Sequence, residues 1–202
     1  MYVVEDDEGF RTLVEMHLER AGYRIESFHS AAEFAADMEL RRPCCLLLDV
    51  YLPEMSGLEL QEKLVSMRAE IPIVFISGAS GVPEAVRAMK NEAFDFLEKP
   101  VEREKLINVV EKAIEADRTT MFDEHGRGML RRAYEGLTAR EKEIMSCVVA
   151  GLKNRQTAEK LGITERTIKA HRARVMEKMK AESLAALVLI AESLKLTDSG
   201  KS

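Results

Sequence analysis

The sequence predicts an α/β doubly wound five-stranded parallel sheet followed by a small all-α helix-turn-helix domain. Three observations carry this. Short apolar runs alternate with amphipathic stretches over residues 1–117, the pattern of β-α units whose parallel strands need right-handed crossovers. From residue 137 onward the periodic segments are all helical. The charge also divides, with −11 over residues 1–117 and +6 over 118–202, within an overall −5. An acidic module joined to a basic one makes the second a candidate for nucleic-acid binding.

Tyr2-Val3-Val4 is a minimal strand running into the acidic stretch Glu5-Asp6-Asp7-Glu8. Phe10, Val14, Leu18 and Ala21 recur at helical spacing, and Gly22 stops that helix. Tyr23 to Phe28 alternates as a second strand, and Ser30-Ala31-Ala32-Glu33 reads as a capping box for the next helix. Cys44 to Leu48 is a third strand, short and apolar on both faces, and it ends on Asp49. Pro53, Ser56 and Gly57 break the pattern before a helix from about Leu58 to Met67. Ile73 to Ile76 is the fourth strand, ending in Ser77-Gly78, and Pro83 suits the first turn of a helix through Lys90. Ala93 to Leu97 is the fifth, followed by Lys99-Pro100 and a long helix from Glu102. The expected strand order is flavodoxin-like.

That helix is expected to run past Asp117 into a linker, 118–136, helical but open to breaks at Gly126 and Gly128. Thr138-Ala139-Arg140-Glu141 is a second capping box, for a helix ending at Gly151. Asn154 is expected to cap a short helix ending at Leu161-Gly162. Thr164 caps a third helix to Met179, and Ser183 a fourth through Leu194. Two helices joined by Leu161-Gly162-Ile163 make a helix-turn-helix.

The composition, 46% hydrophobic and 32% charged, is that of a soluble globular protein. No apolar stretch is long enough to cross a bilayer and no leader precedes Val3, so a cytoplasmic protein is expected. Cys44, Cys45 and Cys147 lack metal-ligand spacing and read as reduced packing residues.

In a doubly wound sheet the first, third, fourth and fifth strands deliver Glu5, Asp6, Asp49, Ser77 and Lys99 to one crevice. Packed carboxylates repel one another unless a cation sits among them, and oxygen-only ligands with open water positions favour Mg²⁺. The expected ligands are Asp6, Asp49 and the backbone carbonyl of Tyr51, with Glu5 joining through a water. Lys99 and Ser77 are the groups that hold a phosphoryl oxygen, and Asp49 is then a carboxylate nucleophile open to phosphorylation.

These motifs resemble a response-regulator receiver domain over residues 1–117: Glu5-Asp6, Asp49 with Leu52-Pro53-Glu54-Met55-Ser56-Gly57, Ser77-Gly78, and Phe96 three residues before Lys99-Pro100. The resemblance implies that Asp49 accepts a phosphoryl group from a sensor histidine kinase with Mg²⁺ bound. It also implies that Ser77 and Phe96 switch together, that the receiver then forms a homodimer, and that Lys99-Pro100 is cis. Glu5 stands where Asp is usual, and the loop Gly78-Ala79-Ser80-Gly81-Val82-Pro83 departs from the Gly-His-Gly-Asp-Val-Pro of the closest subgroup.

On a helical wheel Ile168, Val175 and Met179 face inward, while Arg166, Lys169, Ala170 and Ala173 form an outer strip suited to a major groove. Arg172 and Arg174 are expected to flank it at phosphates, and His171 to pack near the core edge. Leu137-Thr138-Ala139-Arg140-Glu141, Ala150-Gly151, Asn154 to Ala158, Leu161-Gly162-Ile163 and Thr167 to Val175 closely resemble the LuxR-type DNA-binding domain, over about 137–195. Together the halves look like a FixJ-like member of the LuxR-type response regulators, with domains 1–117 and 137–198. The implied function is a transcription regulator that binds double-stranded DNA, with RNA polymerase a further candidate partner. Two other classes stay open: an enzyme turning over phosphoesters at Asp49, and a constitutive DNA-binding protein with an inert acidic domain.

Overall fold

A computed structural model describes residues 1–78 and 82–196 (of Val82, the backbone only). The chain divides into two compact units, Met1–Met121 and Phe122–Ser202.

The first unit runs β1 (Tyr2–Val4), α1 (Glu8–Arg20), β2 (Glu26–Phe28), α2 (Ala31–Ala36), β3 (Leu46–Asp49), α3 (Gly57–Ser66), β4 (Ile73–Ser77), α4 (Val82–Lys90), β5 (Asp95–Glu98) and the start of α5 (Arg103–Glu135). All strand pairs are parallel, in the order β2-β1-β3-β4-β5. Alternation along each strand sorts the core into two layers. Leu46, Leu48, Ile73 and Phe75 join Phe34, Leu60 and Ala88 on one face of the sheet. Leu47, Val74 and Ile76 join Val14, Leu18, Leu106 and Val110 on the other. Cys44 and Cys45 point into opposite layers and are free.

Several local expectations shift. β2 starts at Glu26, because the Tyr23 N–H closes α1 by donating to the Leu18 carbonyl, and Gly22 takes a φ of 90° there. β5 starts at Asp95, since the Ala93 N–H closes α4 on the Ala88 carbonyl. Ser30 caps α2, but Glu33 reaches back to the His29 N–H at 2.9 Å, so that box is displaced by one residue. A full box, Ser56 with Glu59, opens α3. Lys99-Pro100 is cis, and so is Arg42-Pro43.

α5 continues through Gly126 and Gly128 to Glu135. Glycine in a helix costs only about 1 kcal/mol, and the flanking Arg, Met, Glu and Leu residues are strong helix formers.

The second unit adds α6 (Ala139–Val149), α7 (Asn154–Leu161), α8 (Glu165–Lys178) and α9 (Leu184–Ser193) around Leu137, Ile144, Val148, Ile168, Val175 and Leu187. The Thr138–Glu141 box opens α6, and Thr164 and Ser183 cap α8 and α9. Gly162 closes α7 in the left-handed region at φ 66°. α7 departs from expectation: its cap is Lys153, whose N–H donates to Gln156 Oε1 at 2.8 Å, and Asn154 is the first helical residue.

Candidate functional site

The register of the sheet builds the acidic crevice. β1 pairs Val4 with Leu48, β3 pairs Asp49 with Ile76, and β4 pairs Ser77 with Glu98, so Glu5, Asp49, Ser77 and Lys99 emerge side by side. Glu5, Asp49 and Ser77 are buried, at 1%, 5% and 1% exposure, while Asp6 is exposed. Lys99 Nζ lies 2.6 Å from Asp49 Oδ2 and 2.7 Å from Glu5 Oε2, and 4.3 Å over the centre of the Phe10 ring. Asp49 Oδ1 accepts from the Tyr51 N–H at 2.9 Å. Arg11 donates to the Glu5 carbonyl at 2.7 Å.

Burial, above all, pushes the Glu5 carboxyl up to about 7, and the charge of Asp49 adds to it against the pull of Lys99. Burial opposes the charge on Lys99, yet hydrogen bonds to Asp49 and Glu5 outweigh it and raise its pKa.

Gly57 has a specific reason. A β-carbon on it would collide with the Asp49 carbonyl oxygen, and its N–H donates to the Val50 carbonyl at 3.0 Å. The start of α3 therefore sits directly on the backbone that carries Asp49, which only glycine allows.

Carboxylate oxygens of Glu5, Asp6 and Asp49 lie within 4.8 Å of one another. Three acids against the one ammonium of Lys99 leave excess negative charge, and an oxygen-only donor set fits a hard divalent ion such as Mg²⁺. Tyr51 follows two residues after Asp49, in the loop that leaves β3. Phe96 is half-buried and stacks on Phe75, with centroids 6.4 Å apart and planes at 29°. Ala79, Ser80 and Gly81 of the variant loop lie outside the described residues.

On α8, Ile168, Val175 and Met179 are buried at 0%, 1% and 1%. Arg166, Lys169, Ala170, Ala173 and Arg174 are exposed. Arg172, expected beside Arg174, is half-buried instead, and its Nη1 donates to Asn154 Oδ1 at 2.8 Å. At about 100° per residue it falls about 40° from Ile168, on the inward side. His171 is half-buried, with Nδ1 buried and without a hydrogen-bond partner.

Three supporting contacts escape sequence reasoning. Asp117 on α5 takes Arg42 Nε at 2.9 Å and Nη2 at 2.7 Å, and the Cys44 N–H at 2.7 Å. Gln61 on α3 donates to the Ala88 and Asn91 carbonyls at the end of α4; a polar residue between Leu58 and Leu64 on one helical face is its only sequence signal. Arg140 on α6 donates to the Leu161 carbonyl at 2.6 Å, tying down the end of α7.

Comparison with known proteins agrees with this geometry. Residues 1–111 match the response regulator receiver domain, and residues 135–191 match the bacterial regulatory proteins of the luxR family. The response regulator protein TmoT of Ectopseudomonas mendocina is 38% identical over 195 residues, 96% of this chain and 89% of that protein. The transcriptional regulatory protein FixJ of Rhizobium meliloti is 38% identical over 191 residues, 95% of this chain and 94% of that protein. The structure of response regulator StyR is similar at a TM-score of 0.82 and 37% identity, covering 95% of this chain and 96% of that one. Full-length FixJ from B. japonicum aligns at a TM-score of 0.59 and 34% identity, covering 96% of each.

Proposed function

Because the chain belongs to the response regulators that join a receiver domain to a LuxR-type DNA-binding domain, we propose that phosphorylation of Asp49 is its input and promoter binding by α8 its output. One observation carries the reading: a buried carboxylate at a strand end, held 2.6 Å from Lys99 and beside Glu5 and Asp6.

Asp49 attacks the phosphorus of a phosphohistidine on a sensor histidine kinase. A new P–O bond forms as the P–N bond breaks, and the imidazole leaves with the electron pair. Lys99 and Ser77 hold phosphoryl oxygens, and Lys99 neutralises charge as it builds. Glu5, Asp6, Asp49 and the Tyr51 carbonyl would hold Mg²⁺. When bound, Mg²⁺ supplies charge neutralisation at the phosphoryl oxygens. Asp49 keeps the group as an acyl phosphate, so the chain stores a signal without turning over an outside substrate.

Ser77 and Phe96 then act as the switch pair, and the receiver, residues 1–117, forms a homodimer. The linker, 118–136, connects it to the DNA-binding domain, 137–198. Pairing two basic modules on a two-fold site multiplies modest half-site affinities through effective concentration. Arg166, Lys169, Ala170 and Ala173 face base edges, with Arg174 at phosphates, and RNA polymerase is a further partner. As a regulator that acts on DNA, it is assigned to the cytoplasm in this reading; among the described residues no helix is long and apolar enough to cross a membrane.

The test is incubation with a small acyl phosphate and Mg²⁺, followed by intact mass. A single added phosphoryl group, absent from Asp49→Asn, is expected. No labelling, or equal labelling of Asp49→Asn, would sink the assignment.

A further inference from the structure

We propose that Arg172 and Asn154 form a positioning pair that sets the roll of α8 against α7, so that Arg172 governs DNA specificity without touching DNA. This rests on the reading of α8 as the helix that enters the groove.

Arg172 has the charge of a phosphate contact but the place of a core residue. Ile168, Arg172, Val175 and Met179 follow the i, i+4, i+7, i+11 spacing of one helical face, and the other three are buried. Arg166, Lys169, Ala170 and Ala173 project on the far side and are exposed. The guanidinium is directed at Asn154, with Nη1 donating to Oδ1 at 2.8 Å. Asn154 is available for this because it does not cap its own helix; Lys153 occupies the cap position.

The mechanical consequence follows from where the pair sits. α7 and α8 are joined covalently at the C-terminal end of α7, through Gly162, Ile163 and Thr164. The pair links them at the opposite end of α7. Between these points, Ala158 and Leu161 of α7 share one apolar core with Ile168 of α8. Apolar burial is non-directional, whereas a hydrogen bond is directional and fixes one orientation. A roll of about 20° would shift a side chain about 5 Å from the axis by about 2 Å, enough to break a hydrogen bond to a base edge. Asn154, which the sequence suggests as a cap, thus acts across the motif.

The test uses the full chain and two DNA probes: a duplex enriched by the wild-type chain from a random-sequence library, and a scrambled duplex of equal length. Arg172→Ala and Asn154→Ala are each expected to lower the ratio of enriched to scrambled affinity about tenfold, the weight of one charge-assisted hydrogen bond. The slope of log affinity against log salt on the scrambled duplex should stay at the wild-type value, because no phosphate contact is lost. The double variant should be no worse than either single one. Asn154→Asp, which keeps an acceptor for Arg172, should retain the wild-type ratio. If Arg172→Ala unfolds, Asn154→Ala and Arg172→Lys carry the same comparison.

Equal weakening on both duplexes by Arg172→Ala, with the salt slope down by about one and Asn154→Ala inert, would overturn the proposal and make Arg172 a phosphate contact. So would wild-type ratios in all variants. If the wild-type chain enriches no sequence at all, the reading of α8 as a DNA-reading helix fails first, which separates the two failures.

Discussion

Replacing Asp117 by Ala removes one carboxylate that holds the middle of α5 to the segment leading into β3. Asp117 is 1% exposed, Arg42 20% on its side chain, and the Cys44 N–H is buried against Asp117 Oδ2 at 2.7 Å. Losing the acceptor leaves that N–H unpaired, at about 1–3 kcal/mol. Arg42 also loses its two hydrogen bonds to this carboxylate, and because its guanidinium is half-buried with some access to water this adds about 1–2 kcal/mol. The sum, about 2–5 kcal/mol, spans the range for breaking one side of a buried ion pair. Asp117→Asn keeps one carbonyl acceptor and should cost about half as much. Native-state hydrogen exchange reads the effect locally. Amides of Leu46, Leu47 and Leu48 should exchange about a hundredfold faster in Asp117→Ala if they exchange through global opening of this unit. An acceleration below about threefold would refute the assignment of Asp117 as the anchor of α5.

Gly57→Ala should be poorly tolerated, because its β-carbon meets the Asp49 carbonyl and backbone must move; we expect a loss of at least about 2 kcal/mol in urea unfolding together with loss of acyl-phosphate labelling. Lys169→Ala should weaken binding to an enriched duplex by about 1–3 kcal/mol and relax preference at one base position, measured by fluorescence anisotropy. The Lys178 ammonium, with the Thr138 N–H, holds the Glu141 carboxyl down to about 2 from 4.5. A lowered native pKa stabilises the fold above the unfolded value and loses that contribution as pH falls through the native one. The melting temperature should therefore drop between about pH 5 and about pH 2, and Glu141→Gln should flatten that segment of the profile.

Where sequence reasoning succeeds, the signal is local or topological. The run ending on Asp49 is a strand because it is short, apolar and bounded by Pro53 and Gly57, and the convergence of Glu5, Ser77 and Lys99 on it follows from parallel order. The inward positions of α8 are periodic and visible on a wheel. What escapes lies between segments. Arg42 and Asp117 are separated by 75 residues, and neither carries a mark of its partner. Strand starts at Glu26 and Asp95 are decided by which N–H closes the preceding helix, a competition that composition does not encode. Arg172 is instructive because its angle is legible while its charge argues for solvent. Its acceptor, 18 residues away, decides the matter.

The central claim is that the state of Asp49 controls the DNA affinity of the second unit. The most direct measurement is the affinity of the full chain for an enriched duplex, with and without a small acyl phosphate and Mg²⁺, beside Asp49→Asn. The account predicts at least about a tenfold tightening of the labelled wild-type chain and none for Asp49→Asn. Equal tightening of Asp49→Asn, or an unchanged affinity in a chain shown by mass to be labelled, would contradict it.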